Sequence, residues 1–151
     1  IEERIAAEIS AAKDSIHIAS MAISNYQVLK ALNKELNEGT KISGIYDKAQ
    51  MDNVVRAWER SGSESSKEKM ELWNNIKEHL VAKQTTSPLR GMMHNKTIQI
   101  DDRTVLTGSF NFSSNAARNA ENIVLIQNTD IAKRYGNYIN DLIITYGGMV
   151  K

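Results

Sequence analysis

Segments whose apolar residues return every three or four positions alternate with short runs of small and branched residues, and that alternation confines the chain to a layered α/β fold. Ile1, Ile5, Ala6, Ile9 and Ala12 recur at helical spacing, and residues 15–23 follow as a strand. Ser24 and Asn25 are suited to cap a second helix with a buried stripe of Val28, Leu29, Leu32 and Leu36, and Gly39 stands where that helix should stop. Residues 41–46 read as the next strand. The last segment, 130–146, puts Ile131, Tyr135, Tyr138, Ile139, Leu142 and Ile143 on one helical stripe and ends at Gly147 and Gly148.

Between them, residues 47–79 are polar and read as two helices, one carrying Met51, Val54, Val55 and Trp58, the other Met70, Leu72, Trp73 and Ile76. Residues 61–67, with four Ser, a Gly and a Glu, read as a solvated linker joining them. The stretch around 47–80 is therefore expected as a helical surface insertion in a single domain spanning 1–151. Residues 80–82 read as a strand, and 84–91, which holds the only Pro, as an ordered loop. Strands follow over 93–100 and 104–107, joined by the tight turn Asp101-Asp102-Arg103, and 122–127 reads as a buried strand.

Composition narrows the chemistry. A chain of 151 residues can bury a real core unaided, and the absence of Cys removes disulfides and thiolate metal sites. Nineteen Lys and Arg against eighteen Asp and Glu leave a net charge of +1, so any phosphate must be recognised locally and not by bulk attraction. No apolar run approaches the ~20 residues that cross a bilayer. The protein is expected to be soluble, with its compartment open between cytoplasm and an oxidising exterior. Ile1 is not a start-codon product, which leaves a removed leader or a longer upstream region as readings.

Successive side chains on a strand alternate in direction, so His94, Lys96, Ile98 and Ile100 share one face, with His94 and Lys96 roughly 6.6–6.8 Å apart along the backbone. An imidazole and an ammonium at that spacing suit phosphoryl transfer. The ring can attack phosphorus or relay a proton while the cation balances charge on the non-bridging oxygens. Gly108-Ser109-Phe110-Asn111 follows the next strand and brings a flexible turn, a hydroxyl and an amide, all phosphate-oxygen ligands by type.

The run from His94 through Lys96 to Asp101 is an uninterrupted HxKxxxxD, and after six further residues comes the GSxN of Gly108, Ser109 and Asn111. Together they resemble the signature of the phospholipase D superfamily, and Glu121-Asn122 opening a downstream strand is similar to the family as well. With one such motif in a short chain, the resemblance is to the superfamily's small bacterial endonucleases, which work as homodimers. It implies a mixed β-sheet flanked by helices, an αβα sandwich, and phosphodiester hydrolysis through a phosphohistidine, with no cofactor or metal. By the same resemblance His94 is the nucleophile in one subunit and the leaving-group acid in the other. Lys96, Ser109 and Asn111 bind the phosphate, Glu121 orients His94 through its second ring nitrogen, and Asp101 is a supporting residue. The family usually has a strand before the first helix, whereas this chain starts inside that helix.

Geometry separately favours a dimer, because in-line displacement needs an attacking group and a proton donor on opposite sides of phosphorus and one imidazole cannot fill both places. His17 is the alternative donor within one chain. Ser113 and Ser114 read as caps of a short helix, Arg90 and Arg118 as either backbone-tracking or solvated charges, and the tryptophans as core. The three histidines lack the spacing of a metal site. The function expected is a metal-independent endonuclease acting on DNA, or else RNA. The rivals are a phospholipid phosphodiesterase or phosphatidyl transferase, and a module cut from a larger helicase or restriction protein.

Overall fold

The computed structural model describes residues 1–84 and 91–147. Helix α1 (Glu2–Ser10) buries Ile5 and Ile9 one turn apart, and Glu2 and Glu3 sit at its positive end. It leads into β1 (Ser15–Ser20), then α2 (Tyr26–Asn37), whose first turn is capped by the Asn25 side chain accepting from the Val28 N–H at 3.2 Å. Strand β2 (Lys41–Asp47) passes directly into α3 (Lys48–Ser61), and α4 (Glu64–Lys77) leads to β3 (Leu80–Lys83). Strands β4 (Lys96–Ile100), β5 (Thr104–Gly108) and β6 (Ile123–Gln127) follow, and α5 (Thr129–Gly147) closes the chain.

One six-stranded sheet runs in the order β3-β2-β1-β4-β5-β6. Strands β1, β2 and β3 are parallel, and β4, β5 and β6 pair antiparallel in succession from β1. Alternation along β1 divides the core: Ile16 and Ile18 join the larger cluster under α1, α2 and α4, while Ala19 meets Ile139 of α5 on the other face. The architecture is the mixed sheet flanked by helices that the sequence predicts.

Several local expectations shift. The 47–80 stretch is the crossover that a parallel β2–β3 pair requires, and it carries Met51, Trp58, Trp73 and Ile76 into the main core, so it is not a surface addition. The solvated linker shrinks to two residues. Gly62 ends α3 in the left-handed region at φ 58°, and Ser63 starts α4 by accepting from the Ser66 N–H at 3.1 Å. Strand β6 is an edge, with Val124 51% exposed, because no strand among the described residues pairs beyond it. On α5, Ile139, Leu142 and Ile143 of the expected stripe pack against the core, whereas Ile131 and Tyr138 are exposed and Ala132 and Gly136 are buried instead, the Gln99 side chain lying 3.4 Å from where a Gly136 Cβ would stand. Strand β4 begins at Lys96 and not at 93, where β1 ends its pairing at Ser20. The 84–91 loop falls, apart from its first and last residues, outside the described residues.

Trp73 is 3% exposed and meets the Tyr46 ring edge-on at 4.9 Å. Trp73→Ala should therefore lower unfolding free energy by about 3–5 kcal/mol in a denaturant titration, as core truncations do. A cost under about 1 kcal/mol would return the α3–α4 pair to the surface.

Candidate active site

Lys96 opens β4 opposite Ser20 of β1, and His94 lies exposed two residues earlier, on the irregular approach to that strand. The Lys96 ammonium donates to the His94 backbone carbonyl at 2.7 Å and lies 3.2 Å from His94 Nδ1. An ammonium has no lone pair to offer, so Nδ1 accepts in this contact and a neutral ring carries its proton on Nε2. Partial burial pulls the Lys96 pKa below the ordinary lysine value, and the Glu121 carboxylate works against that fall.

Strand β5 brings the second motif alongside. Thr97 pairs with Thr107, their hydroxyls 3.1 Å apart, and Gly108 ends the strand. A Cβ on Gly108 would stand 2.4 Å from the Asn122 carbonyl oxygen, so only glycine lets the chain pass that close. The same carbonyl accepts from the N–H groups of Ser109 at 3.1 Å and Phe110 at 3.3 Å. Ser109 Oγ accepts from the Asn122 N–H at 3.0 Å, which leaves the hydroxyl proton to donate. Phe110 and Phe112 are buried anchors at 2% and 0% exposure, and Asn111 between them lines the cleft. Its Oδ1 is buried without a hydrogen-bond partner, and its Nδ2 is the atom that can donate to an anion.

The result is an open cleft of ≈ 500 Å³ lined by His94, Lys96, Thr97, Thr107, Ser109 and Asn111 among others. It holds an imidazole, a cation, a hydroxyl and an amide on one polar surface, which is what a bound phosphodiester requires. Among the described residues no three His, Cys, Asp or Glu gather where they could hold a metal ion.

Other predicted residues lie elsewhere or differently. Glu121 makes no hydrogen bond to His94; its carboxylate accepts from the Asn119 amide at 3.4 Å. Asp101 sits at the far end of β4, accepting from the backbone N–H groups of Lys13 at 2.8 Å, Asp14 at 2.8 Å and Ser15 at 3.0 Å. His17 faces α5, its Nδ1 2.6 Å from Gln99 Oε1, and lines a separate cleft with Asp102, Lys133 and Asn137. Ser114 does not cap the short 3₁₀ turn Ala116–Arg118 but donates to the Ser24 carbonyl at 3.1 Å. Arg118 is exposed at that turn's end, and Arg90 lies outside the described residues.

One residue beside the cleft escapes motif reading. Asp47, fully buried at the end of β2, accepts from the Met93 N–H at 2.9 Å. Its sequence signal is an acidic residue between a strand and a helix, the usual mark of a helix cap.

Compared with known proteins, residues 5–143 match the family model described as cardiolipin synthase, PLD-like domain. The chain belongs to this family, within the phospholipase D superfamily. A protein named phospholipase D from Rickettsia conorii is 29% identical over 138 residues, 90% of this chain and 61% of that one, so the PLD-like chain spans about three fifths of the curated relatives' length. Among solved structures, the phospholipase D family member Nuc from Salmonella typhimurium superposes with a TM-score of 0.72 at 25% identity, over 93% of this chain and 84% of its own. NucT from Helicobacter pylori shares the fold with a TM-score of 0.71 at 21% identity, over 93% and 86%.

For Asp101, partial burial raises the carboxyl pKa, but the three backbone N–H donors and Arg103 outweigh it, and the net shift is downward from 3.8. A depressed folded pKa contributes stability that is full above the ordinary value and lost as pH falls through the folded one. Asp101→Asn should thus cost about 1–2 kcal/mol at neutral pH. That gap to wild type should close as denaturation is measured progressively below pH 3.8. A gap that is constant with pH would show that the charge contributes nothing.

Proposed function

We propose that this PLD-like domain hydrolyses phosphodiesters in nucleic acid, DNA foremost, through a covalent phosphohistidine on His94. The observation that carries the reading is the His94 Nδ1 held 3.2 Å from the Lys96 ammonium, in one cleft with the hydroxyl of Ser109 and the amide of Asn111. Lys96, Ser109 and Asn111 take the non-bridging oxygens. As the ammonium moves to the phosphate it leaves Nδ1; Nε2 gives its proton to water while Nδ1 takes one from water and becomes the N–H that a carboxylate can accept, Glu121 being the acidic group whose field already reaches Lys96. Nε2 then has its lone pair free.

Nε2 attacks phosphorus, the P–N bond forms, and the P–O bond to the leaving alcohol breaks. The protonated imidazole of a second copy's His94 gives the alcohol its proton. Water, deprotonated by that same second ring, then attacks phosphorus and breaks the P–N bond, releasing a phosphomonoester and restoring both histidines. Met92 at 47% exposure and Tyr138 at 43% supply apolar surface beside the cleft, Tyr138 being tied to it by the Asn95 amide at 3.1 Å, and that surface suits a second copy.

Two considerations favour nucleic acid. The cleft is open and the residues that line it include no Leu, Ile, Val, Met, Phe, Tyr or Trp side chain, and Nuc and NucT are matched over more than four fifths of their own chains, so their size is close to that of this unit. The curated relatives named phospholipase D support a phospholipid diester as the second reading. Plasmid and mixed phospholipid vesicles assayed with one preparation separate the two: nicking without headgroup release is expected.

His94→Ala should reduce cleavage at least about 10³-fold, and Lys96→Met about 10²–10³-fold, with EDTA leaving the wild-type rate unchanged. An acid-labile radiolabelled adduct should form on the wild type and not on His94→Ala. Parental nicking by His94→Ala, or loss of activity in chelator, would remove this mechanism.

A further inference from the structure

The residue that attacks in this reading stands on irregular backbone, and irregular backbone holds a catalytic geometry only where something buried fixes it. Three contacts do so here. Met93, immediately before His94, is 3% exposed and packs with Ala19, Ile45 and Ile139. Asn95, immediately after, accepts through its carbonyl from the Met21 N–H at 3.1 Å. Between these, the Met93 N–H donates to Asp47 Oδ2 at 2.9 Å in a fully buried contact. The other Asp47 oxygen accepts from the Gln50 N–H at 3.2 Å, which caps α3, and the Asp47 N–H donates to the Met21 carbonyl at 3.3 Å. The buried Lys83 stands opposite Asp47 in the backbone register of β2 and β3, and its ammonium donates to the Gly91 carbonyl at the start of the same segment.

We propose that Asp47 is a positioning residue for His94: its buried carboxylate clamps the Met93 backbone so that the next side chain faces the cleft, and it ties that clamp to the first turn of α3. This rests on the reading of His94 as nucleophile. A charged group with no exposure is costly unless both its oxygens are used, and here each has one backbone donor, one in the helix and one in the loop that presents the histidine. A serine could serve the helix, since it is as good an N-cap as aspartate, but its single short hydroxyl cannot also reach Met93. Asp47→Ser therefore separates the two jobs.

The test compares wild type, Asp47→Ser and Ser63→Ala, a cap of α4 away from the loop, at a temperature where circular dichroism shows all three folded. Asp47→Ser should lose about 10²-fold in kcat with KM within about threefold, because roughly 1 Å of misplacement is enough for that. Ser63→Ala should lose thermal stability without losing kcat. Hydrogen exchange read at the Met93 amide supplies a measurement independent of turnover: slow in wild type, at loop rates in Asp47→Ser. Wild-type kcat in Asp47→Ser, a loss confined to KM, or fast exchange at Met93 in the wild type would each overturn the proposal. If Asp47→Ser does not fold, the wild-type exchange rate decides. If wild type cleaves no diester, the functional reading falls and this proposal with it, whereas cleavage by wild type with full kcat in Asp47→Ser removes the positioning role alone.

Discussion

The register of β4 is the constraint on which the site depends. It pairs antiparallel with β1 through Ser20 and Lys96 and with β5 through Thr97 and Thr107, at the place where the sheet changes from parallel to antiparallel neighbours. The carboxyl ends of β1, β2 and β5 and the start of β4 meet at one edge, the edge where open α/β sheets take their ligands. A slip of one residue would turn Lys96 to the other face and carry Ile98 and Ile100 out of the core, so burial of those two isoleucines sets where the ammonium stands.

With almost no net charge, the domain has no long-range field to gather a polyanion, and recognition falls to a few donors at contact distance. Lys96 has two competing acceptors there. Without a phosphate it serves the carbonyl and the ring of His94, and the ring nitrogen that would attack then carries the proton. In the proposed mechanism a diester competes for the same ammonium, and its arrival is the event that frees the imidazole. On that proposal, phosphate binding and nucleophile activation are one exchange of hydrogen bonds and not two separate tasks.

Much of this was legible in the sequence because the signals were local. Periodicity placed the helices and strands, Asn25 and Gly39 marked the limits of α2, and the spacing from His94 to Asn111 put one motif at the start of one strand and the other at the end of its neighbour. What escaped depended on partners distant in the chain. The polar composition of 47–80 concealed its share of the core, because one face of each helix, around Trp58 and Trp73, meets α2 or β2 while the rest is solvated. On α5 the close approach of the buried Gln99 to Gly136 is a contact that no helical period could reveal. The start of β4 moved to Lys96 because β1 ends at Ser20, a matter of the neighbour's length and not of the residues 93–95 themselves.

Asp47 shows how the topology joins stability to the site. Because β3 is parallel to β2, the chain must leave β2 at its carboxyl end and cross over through helices. The residue that starts that crossover is therefore at the sheet edge where the cleft lies. A cap at this point is within reach of the loop before β4, and aspartate, alone among common caps, carries two acceptors short enough to serve a helix N–H and a loop N–H together. The helix pair and the segment that presents His94 consequently share one buried carboxylate, and a perturbation that lifts the first turn of α3 would be felt at the backbone of Met93 before it reached any surface of the cleft.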